Sequence, residues 1–286
     1  MEKKQFPPLK RHQTFSIRDG WIEKGLNILI DDKNALKKDE GPAKFGLGSN
    51  MCKSLRYWLI ASNLFSFQQK GAEPTELGKL LYKYDQYLEC DFSWWLIHLY
   101  LVSNFEDAPV LNSIFNLNYS KFDKELVFNK IKEIYSNEYD IGADSSLESD
   151  ISIAFKSYYS DDLSNPEDNK NCPLSKLSLL KTDDKKVFYR TSPMYKKLDY
   201  RIVYLAIIKC FNEKQDKIKF NVEDIYEMKN NPINLLGITK TMLFMYLEEM
   251  KTSGLLDIYK TAGLNVVYIE KIRSITEVIE SYFKEA

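Results

Sequence analysis

The sequence predicts a mainly α protein, in which N-terminal and C-terminal winged-helix-like units with short β-hairpins flank a helical middle. Two observations lead to this class. Apolar residues recur at helical spacing along most of the chain. At two places a helical stretch is followed directly by two short alternating stretches around a polar tip, which is the order of elements in a winged helix. The expected domains are residues 1–91, residues 92–171 and residues 172–286.

The N-terminal unit is expected to begin with three helices. Residues 15–31 form the first, since Trp21 and the apolar residues after it share one face. A short second helix is expected around Ala35. Ser49 is then expected to cap a third helix over residues 49–62, because a serine hydroxyl accepts hydrogen bonds from the free N–H groups of a first turn.

A hairpin pattern follows the third helix and is the most informative local feature of the sequence. Phe65-Ser-Phe67 alternates like a strand, and residues 68–73 are polar and contain a glycine. Pro74-Thr-Glu-Leu-Gly78 opens the next helix, with Thr75 as its N-cap. This order predicts a wing directly after a recognition helix.

The middle of the chain is predicted to be helical and acidic. Residues 160–171 then form a loop or linker rich in Pro, Asp and Asn. A small helix and a hairpin that turns at Asp183-Asp184 are expected over residues 172–190. The three predicted helices of the middle lie near residues 93–104, 122–135 and 147–159.

The C-terminal unit repeats the order of the N-terminal one. Glu248 and Glu249 on its third helix oppose phosphate contact, so a structural or dimerising role is expected there, with a homodimer as the resulting assembly. Its hairpin combines Asp257–Lys260 with Val266–Ile269 around Ala262-Gly263. The predicted helices cover residues 202–211, residues 221–228 with Asn221 as cap, and residues 239–252.

The charged residues are distributed unevenly. The chain contains 40 Lys and Arg against 41 Asp and Glu, a net charge of -1. Residues 1–60 nevertheless carry +5, whereas residues 101–170 carry -8. Screening confines each patch to about 10 Å at moderate salt, so the neutral total does not exclude a local nucleic-acid surface. The acidic block is expected to be a solvated scaffold.

Several classes of protein are excluded. No apolar run is long enough to span a membrane and the start of the chain is no signal peptide, so a cytoplasmic protein with no membrane partner is expected. The four cysteines lie far apart, so neither a disulfide framework nor a zinc site is expected. The absence of G-x-x-x-x-G-K-[ST] and G-x-G-x-x-G argues against a nucleotide-driven enzyme.

The third helix of the N-terminal unit is the best candidate for contacting DNA. Arginine and asparagine make bidentate contacts to base edges, and lysine contacts phosphates. A protein-docking module is the alternative, and Arg18 has the further alternative of pairing with acids on its own helix. The candidate DNA-binding residues are Asn50, Lys53, Arg56 and Tyr57 on the helix, Lys44 before it, Lys70 in the wing, and Arg18 and Lys24 as secondary candidates.

Catalytic residues and metal ligands are not identified by the sequence. Carboxylates are the only catalytic groups present in quantity, and none shows convergence, so each is expected to be a surface acid. His98 is expected to be hydrogen-bonded in the core, and His12 is expected in a flexible basic arm. The carboxylates considered are Glu89, Asp91, Glu148, Asp150, Asp161 and Asp162.

Five segments of the chain resemble the bacterial domain-of-unknown-function family 4007. The family's members occur with DNA phosphorothioation genes, and the B subunits of Ssp-type phosphorothioation systems look like relatives. Two departures from the family pattern are Ser49, where a basic residue is expected, and Asp91-Phe-Ser in place of D-P-x. The segments are Thr14–Gly25, Leu47–Trp58, Pro74–Gly78, Tyr87–Asp91 running into Trp94–His98, and, more weakly, Cys172–Leu177.

The resemblance implies a DNA-binding component of a bacterial DNA phosphorothioation defence system that nicks one strand before sulfur insertion, with Mg²⁺ or Mn²⁺ as cofactor if it is a nickase. The implied partners are double-stranded DNA, a cysteine desulfurase, an ATPase and a sulfurtransferase. Two alternatives stay open: a non-catalytic DNA-binding adaptor of the same complex, and a winged-helix transcriptional regulator. The resemblance transfers no nuclease residues.

Overall fold

The computed structural model describes residues 3–37, 40–159, 172–211, 217–261 and 264–285. The chain forms two compact units. Unit 1 contains Met1–Ile114 and Tyr119–Thr191, and unit 2 contains Phe115–Asn118 and Ser192–Ala286. The fold is mainly α, as predicted, with short strands in each unit. The division into domains 1–91, 92–171 and 172–286 stays a prediction.

Unit 1 opens with a short strand, β1 (Lys4–Gln5), and a helix, α1 (Trp21–Asp31). The predicted first helix is therefore present, but it begins only at Trp21, because Gly20 before it has a positive φ of 75°. The expected second helix at Ala35 is wrong: the chain turns there. The second helix is α2 (Gly41–Phe45), where Pro42 occupies the first turn.

The third helix, α3 (Ser49–Ala61), has nearly the predicted bounds. The capping prediction for Ser49 is wrong, because Gly48 is the N-cap and Ser49 is already helical. α3 packs against α1 at Gly25, where an added Cβ would come within 2.9 Å of the Leu59 side chain. The close contact explains a glycine on the apolar face of α1.

The predicted hairpin follows α3. Strands β2 (Phe65–Gln68) and β3 (Gly71–Pro74) pair antiparallel, with Phe65 opposite Pro74 and Gln68 opposite Gly71. The next helix, α4 (Glu76–Asp85), starts as predicted, because the Thr75 hydroxyl oxygen accepts a hydrogen bond from the Gly78 N–H at 3.1 Å. The same hydroxyl donates to the carbonyl of Asn63 at 2.6 Å, which joins the start of α4 to the end of α3.

The remaining elements of unit 1 form its larger core. α5 is buried on nearly every side, and β4, β7 and β6 form a sheet in that order. The three predicted helices of this region are present with shifted ends as α5, α7 and α8, whereas α6 was missed. The small helix at Pro173–Leu177 and the hairpin around Asp183-Asp184 are confirmed. The elements are α5 (Asp91–Ser103), α6 (Pro109–Asn116), β4 (Lys121–Asp123), α7 (Lys124–Tyr135), β5 (Tyr139–Asp140), α8 (Asp144–Tyr158), β6 (Leu180–Thr182) and β7 (Val187–Arg190).

Unit 2 contains a sheet of strand order β8–β10–β9 and four α-helices among the described residues. The expected helix capped by Asn221 is wrong, since Asn221 ends strand β8 opposite Val266 and only a short 3-10 helix follows, at Asp224–Glu227. The C-terminal hairpin is confirmed. The elements are α9 (Tyr200–Cys210), β8 (Ile218–Asn221), α10 (Pro232–Leu236), α11 (Lys240–Thr252), β9 (Asp257–Thr261), β10 (Leu264–Ile269) and α12 (Ile275–Glu285).

Some predictions fall outside the described residues. These are the loop at residues 160–171 and the turn at Ala262-Gly263. Within the described ranges, no helix has both the length and the apolar character that crossing a membrane requires.

Candidate nucleic-acid interface

The exposed face of α3 holds three of the predicted DNA-binding residues. Asn50, Lys53 and Arg56 are all exposed and follow one another at intervals of three, so they share one side of the helix. The Lys53 ammonium lies 3.4 Å from the Asn50 side-chain oxygen. The Arg56 guanidinium lies 4.7 Å from the centre of the Phe67 ring on β2, which holds it against the hairpin.

Lys70 extends this face to the tip of the hairpin. It is exposed and lies between the paired ends of β2 and β3. Over the described ranges of the chain, no carboxylate is within ion-pair distance of Lys53, Arg56 or Lys70. Their positive charges are therefore available to an external anion. We call Asn50, Lys53, Arg56 and Lys70 the α3 face.

Tyr57 is also predicted to contact DNA from α3, but it is only 7% exposed and does not lie on the exposed side of the helix. The ring lies 4.8 Å from that of Trp58 and 5.4 Å from the Arg11 guanidinium. Burial raises the pKa of the Tyr57 hydroxyl, and the negative charge of Asp150 raises it further. The N-terminal segment covers this side of the helix, since the Phe15 carbonyl accepts a hydrogen bond from the Trp58 indole at 3.0 Å.

Lys44 is bound to acids of its own neighbourhood. Its ammonium pairs with Asp32 and, at 2.6 Å, with Glu40. The hydrogen bond to Asp32, followed by the one to Glu40, raises the pKa of Lys44. These two carboxylates neutralise Lys44 locally, so we expect it to contribute less to DNA binding than Lys53 or Arg56.

Of the secondary candidates, Arg18 lies three residues before the first residue of α1, and Lys24 lies in α1. The Arg18 guanidinium lies 5.4 Å from the Phe15 ring centre and 5.7 Å from that of Trp21. This stacking occupies the half-buried Arg18 side chain. The alternative that Arg18 pairs with acids on its own helix is wrong, because Arg18 lies outside α1. Lys24 is exposed on α1.

A buried His–Asp pair behind α3 was missed by the sequence analysis. His12 is 3% exposed, and its Nε2 lies 3.0 Å from Asp150 Oδ1. The expectation of His12 in a flexible arm is therefore wrong, and so is the expectation of Asp150 as a surface acid. The Asp150 carboxylate also accepts the Lys10 backbone N–H at 3.0 Å, and Thr14 N–H donates to His12 Nδ1 at 3.1 Å.

The position of Asp150 in the sequence carried a usable signal. It lies three residues after Leu147 and one before Ile151, both buried, so it falls on the apolar face of α8. A carboxylate on such a face needs a partner. A cavity with about 10 Å³ of free space, enough for about one water molecule, adjoins His12, Tyr57 and Asp150.

The other acids and the second histidine mostly behave as predicted. Glu89, Asp91 and Glu148 are exposed, whereas Asp161 and Asp162 lie outside the described residues. His98 is confirmed as a core histidine, with Nδ1 2.7 Å from the buried Tyr158 hydroxyl.

A second group of partly buried acids lies where three of the segments that resemble the family come together. These segments are Thr14–Gly25, Tyr87–Asp91 and Cys172–Leu177. Asp85 is 8% exposed and accepts hydrogen bonds from the Glu89 and Cys90 N–H groups and from the Ser93 hydroxyl. Burial raises the pKa of the Glu23 carboxyl; Asp19 and Asp85 raise it further, and Lys176 opposes them. One Glu23 oxygen is buried without a hydrogen-bond partner.

Glu23→Gln should stabilise unit 1 at neutral pH by about 1 kcal/mol, because the substitution removes a buried charge that lacks a full set of hydrogen bonds. The folded-state pKa of Glu23 is raised, so its penalty is absent below the ordinary value of 4.5, grows as the pH rises above that value and is complete once the pH exceeds the folded-state pKa. The gain should therefore be larger at pH 7.5 than at pH 5 in urea unfolding.

The exposed Glu73 provides the control for this measurement. Glu73→Gln removes a carboxylate that is half exposed and 3.8 Å from Lys33. We expect a change within about 0.5 kcal/mol at both pH values. A stabilisation by Glu23→Gln that is equal at the two pH values would contradict the assignment to the carboxylate charge.

Comparison with solved structures identifies two similar chains. One is a crystal structure of SspB, with a TM-score of 0.86 and 20% identity over 99% of this chain and 89% of the other. The second is a magnesium ion-bound SspB crystal structure, with a TM-score of 0.85 and 20% identity over 96% of this chain and 88% of the other. At this identity the likeness establishes a shared fold. No protein with a curated description matches the sequence.

The magnesium in the second structure raises the question of a metal site in this chain. Within the part of the chain that the structure describes, no group of three or more His, Cys, Asp or Glu side chains is placed to hold a metal ion.

The sequence also matches a family model, that of a protein of unknown function (DUF4007), over residues 9–283. This match covers nearly the whole chain and agrees with the resemblance in the five segments. The chain therefore belongs to the DUF4007 family.

Proposed function

We propose that this protein is a DNA-binding component of a bacterial DNA phosphorothioation system and that it contacts double-stranded DNA through the α3 face. The observation that carries the proposal is the cluster of Asn50, Lys53 and Arg56 on one exposed side of a helix, next to a hairpin that ends in Lys70. Family membership and the SspB-like fold support the choice of system.

The chemistry of the α3 face suits a duplex. A helix that enters the major groove can present Arg56 to guanine and Asn50 to adenine, the base edges that these side chains bind in bidentate fashion. Lys53 and Lys70 supply point charges for phosphates on either side of the groove. The Arg56 side chain is already held by its contact with Phe67, so it loses less conformational entropy when it binds DNA.

The test is a double charge reversal on α3. Lys53→Glu with Arg56→Glu should weaken duplex binding at least about tenfold and lower the slope of log K against log salt by at least about 0.9, because the phosphate contact of Lys53 is lost together with the base contact of Arg56. Fluorescence anisotropy with a labelled duplex at several salt concentrations measures both quantities.

The matched control is Lys181→Glu with Lys186→Glu, on the β6–β7 hairpin of the same unit. Both lysines are exposed, and the change in net charge is identical. If the control weakens binding as much as the α3 variant, net charge rather than the α3 face governs DNA binding, and the proposal fails.

Strand nicking is the enzymatic form of this proposal, and the magnesium-bound relative favours testing it. Purified protein is incubated with supercoiled plasmid in Mg²⁺ or Mn²⁺. Relaxation to the open circle favours a nickase, whereas retained binding without relaxation favours a non-catalytic adaptor. A transcriptional regulator would instead bind one operator sequence tightly and show no association with sulfur-transfer proteins.

The proposal places the protein in the cytoplasm, where it meets DNA together with a cysteine desulfurase, an ATPase and a sulfurtransferase. A homodimer formed through unit 2 is part of the same proposal. Co-purification from cells that express the four proteins tests the complex, and light scattering of the isolated protein tests the dimer.

A further inference from the structure

The outward face of the unit 2 sheet carries exposed aromatic rings and lysines. The register places Lys219 on β8 opposite Tyr268 on β10, and Val266 opposite Tyr259 on β9. Side chains alternate across a strand, so these residues share one face, whereas Val267, Phe220 and Ile258 face the core. Tyr259 is 54% exposed, which is unusual for so large a ring.

The two tyrosines and the lysine form one contact group. The rings of Tyr259 and Tyr268 lie 5.2 Å apart at 88°, so the edge of one meets the face of the other. The Lys219 ammonium lies 5.0 Å from the centre of the Tyr268 ring. Tyr268 is thus flanked on both sides, and Tyr259 at the margin remains the ring with a free surface.

Two lysines and two carboxylates share this face, and among the described residues Lys219 is the lysine of the face that makes no ion pair. Lys217 is bound to Glu270 at 2.8 Å, whereas Lys219 is exposed and lies over an aromatic ring. Asp257 lies opposite Tyr268 on the same face. Its negative charge repels an anion that binds next to the two tyrosines and Lys219. The exposed Tyr259 ring can stack a base, and Lys219, on the other side of Tyr268, can bind a phosphate of the same strand.

We infer that the outward face of the β8–β10–β9 sheet binds single-stranded nucleic acid, with a base stacked on Tyr259 and a backbone phosphate near Lys219. The inference rests on the proposed function only in taking nucleic acid as the partner. A duplex keeps its bases stacked on one another, so this face selects unpaired strands. Selectivity among bases should be weak, since every base has a π-face.

The test compares binding of labelled single-stranded oligonucleotides, dT and mixed-sequence, by anisotropy. Tyr259→Ala should weaken binding at least about fivefold, the low end of the loss for one stacked base, while Tyr259→Phe keeps the ring and should bind like the parent. Lys219→Ala should lower the salt slope by about 0.7. Asp257→Asn removes an opposing charge and should strengthen binding.

Tyr87→Ala is the matched control, since Tyr87 in unit 1 is 62% exposed. Undetectable single-strand binding by the parent protein, or equal affinities of the parent and Tyr259→Ala, would overturn the inference and leave the face as a protein-docking surface. The Lys53/Arg56 variant separates this site from the α3 face. The Lys53/Arg56 variant should lose duplex binding, whereas Tyr259→Ala should retain it. The proposal for the α3 face and the inference for the unit 2 sheet can therefore be overturned independently.

Discussion

Asp150→Ala should lower the free energy of unfolding of unit 1 by about 3 kcal/mol. Asp150 is 8% exposed; its carboxylate lies 3.0 Å from the buried His12 Nε2 and accepts a hydrogen bond from the Lys10 N–H. Removing it takes the neighbouring carboxylate from the buried His12 ring, whose Nε2 lies 3.0 Å from it without hydrogen-bond geometry, and leaves the part-buried Lys10 N–H without its acceptor. The loss of a partner by a buried polar group costs about 1–3 kcal/mol. The loss should exceed that of any exposed ion pair in the unit.

Tryptophan fluorescence during urea unfolding isolates this effect. All four tryptophans, Trp21, Trp58, Trp94 and Trp95, lie in unit 1, so the signal reports on that unit alone. Asp144→Ala on the same helix is the control, because Asp144 forms an exposed pair with Lys132 at 2.7 Å. Its cost should stay below about 1 kcal/mol. Equal losses of unfolding free energy for Asp150→Ala and Asp144→Ala would show that the buried contacts of Asp150 stabilise the unit no more than an exposed ion pair does.

The Asp150 pair also affects the DNA-binding proposal. Lys10 and His12 begin the segment that covers the inner side of α3, and the Phe15 carbonyl of this segment accepts a hydrogen bond from the Trp58 indole N–H. The contacts of Asp150 with Lys10 and His12 therefore hold this segment against α3. Asp150→Ala should therefore increase the exposure of Tyr57. The α3 face itself contains none of these residues, so any loss of DNA affinity would arise from a displaced helix.

Gly78→Ala should destabilise unit 1 by about 3 kcal/mol. A Cβ at this position would come within 2.2 Å of the Leu64 carbonyl oxygen, a backbone atom that cannot rotate away. Relief requires α4 to move away from the end of α3, which would break the hydrogen bond from the Thr75 hydroxyl to the Asn63 carbonyl. The urea midpoint followed by tryptophan fluorescence measures the effect.

Gly48→Ala provides the comparison. Gly48 has an ordinary φ of -65°, and the nearest atom to an added Cβ is the Met51 sulfur at 3.9 Å. The same glycine-to-alanine change should therefore cost less than about 1 kcal/mol. A small effect at Gly78 would mean that α4 can shift without loss of packing, and that the close approach is not what requires glycine there.

Local patterns predicted the helices and hairpins well where neighbouring residues alone decide the structure. Thr75 caps α4 because its hydroxyl and the Gly78 N–H are three residues apart. Asn221 is the opposite case. Asparagine is a favourable helix cap, but Asn221 pairs with Val266 and therefore ends a strand. The partner strand is 45 residues away, so no local pattern contains it.

The same distinction applies to the candidate site. The sequence by itself determined the mainly α class, the helix–hairpin order and the candidate residues Asn50, Lys53, Arg56 and Lys70, because periodicity and residue chemistry are local properties. Only the tertiary structure decided that Tyr57 is buried, that Lys44 is neutralised by Asp32 and Glu40, and that His12 pairs with Asp150. Burial and ion pairing depend on which segments pack together, and His12 and Asp150 are 138 residues apart in the chain.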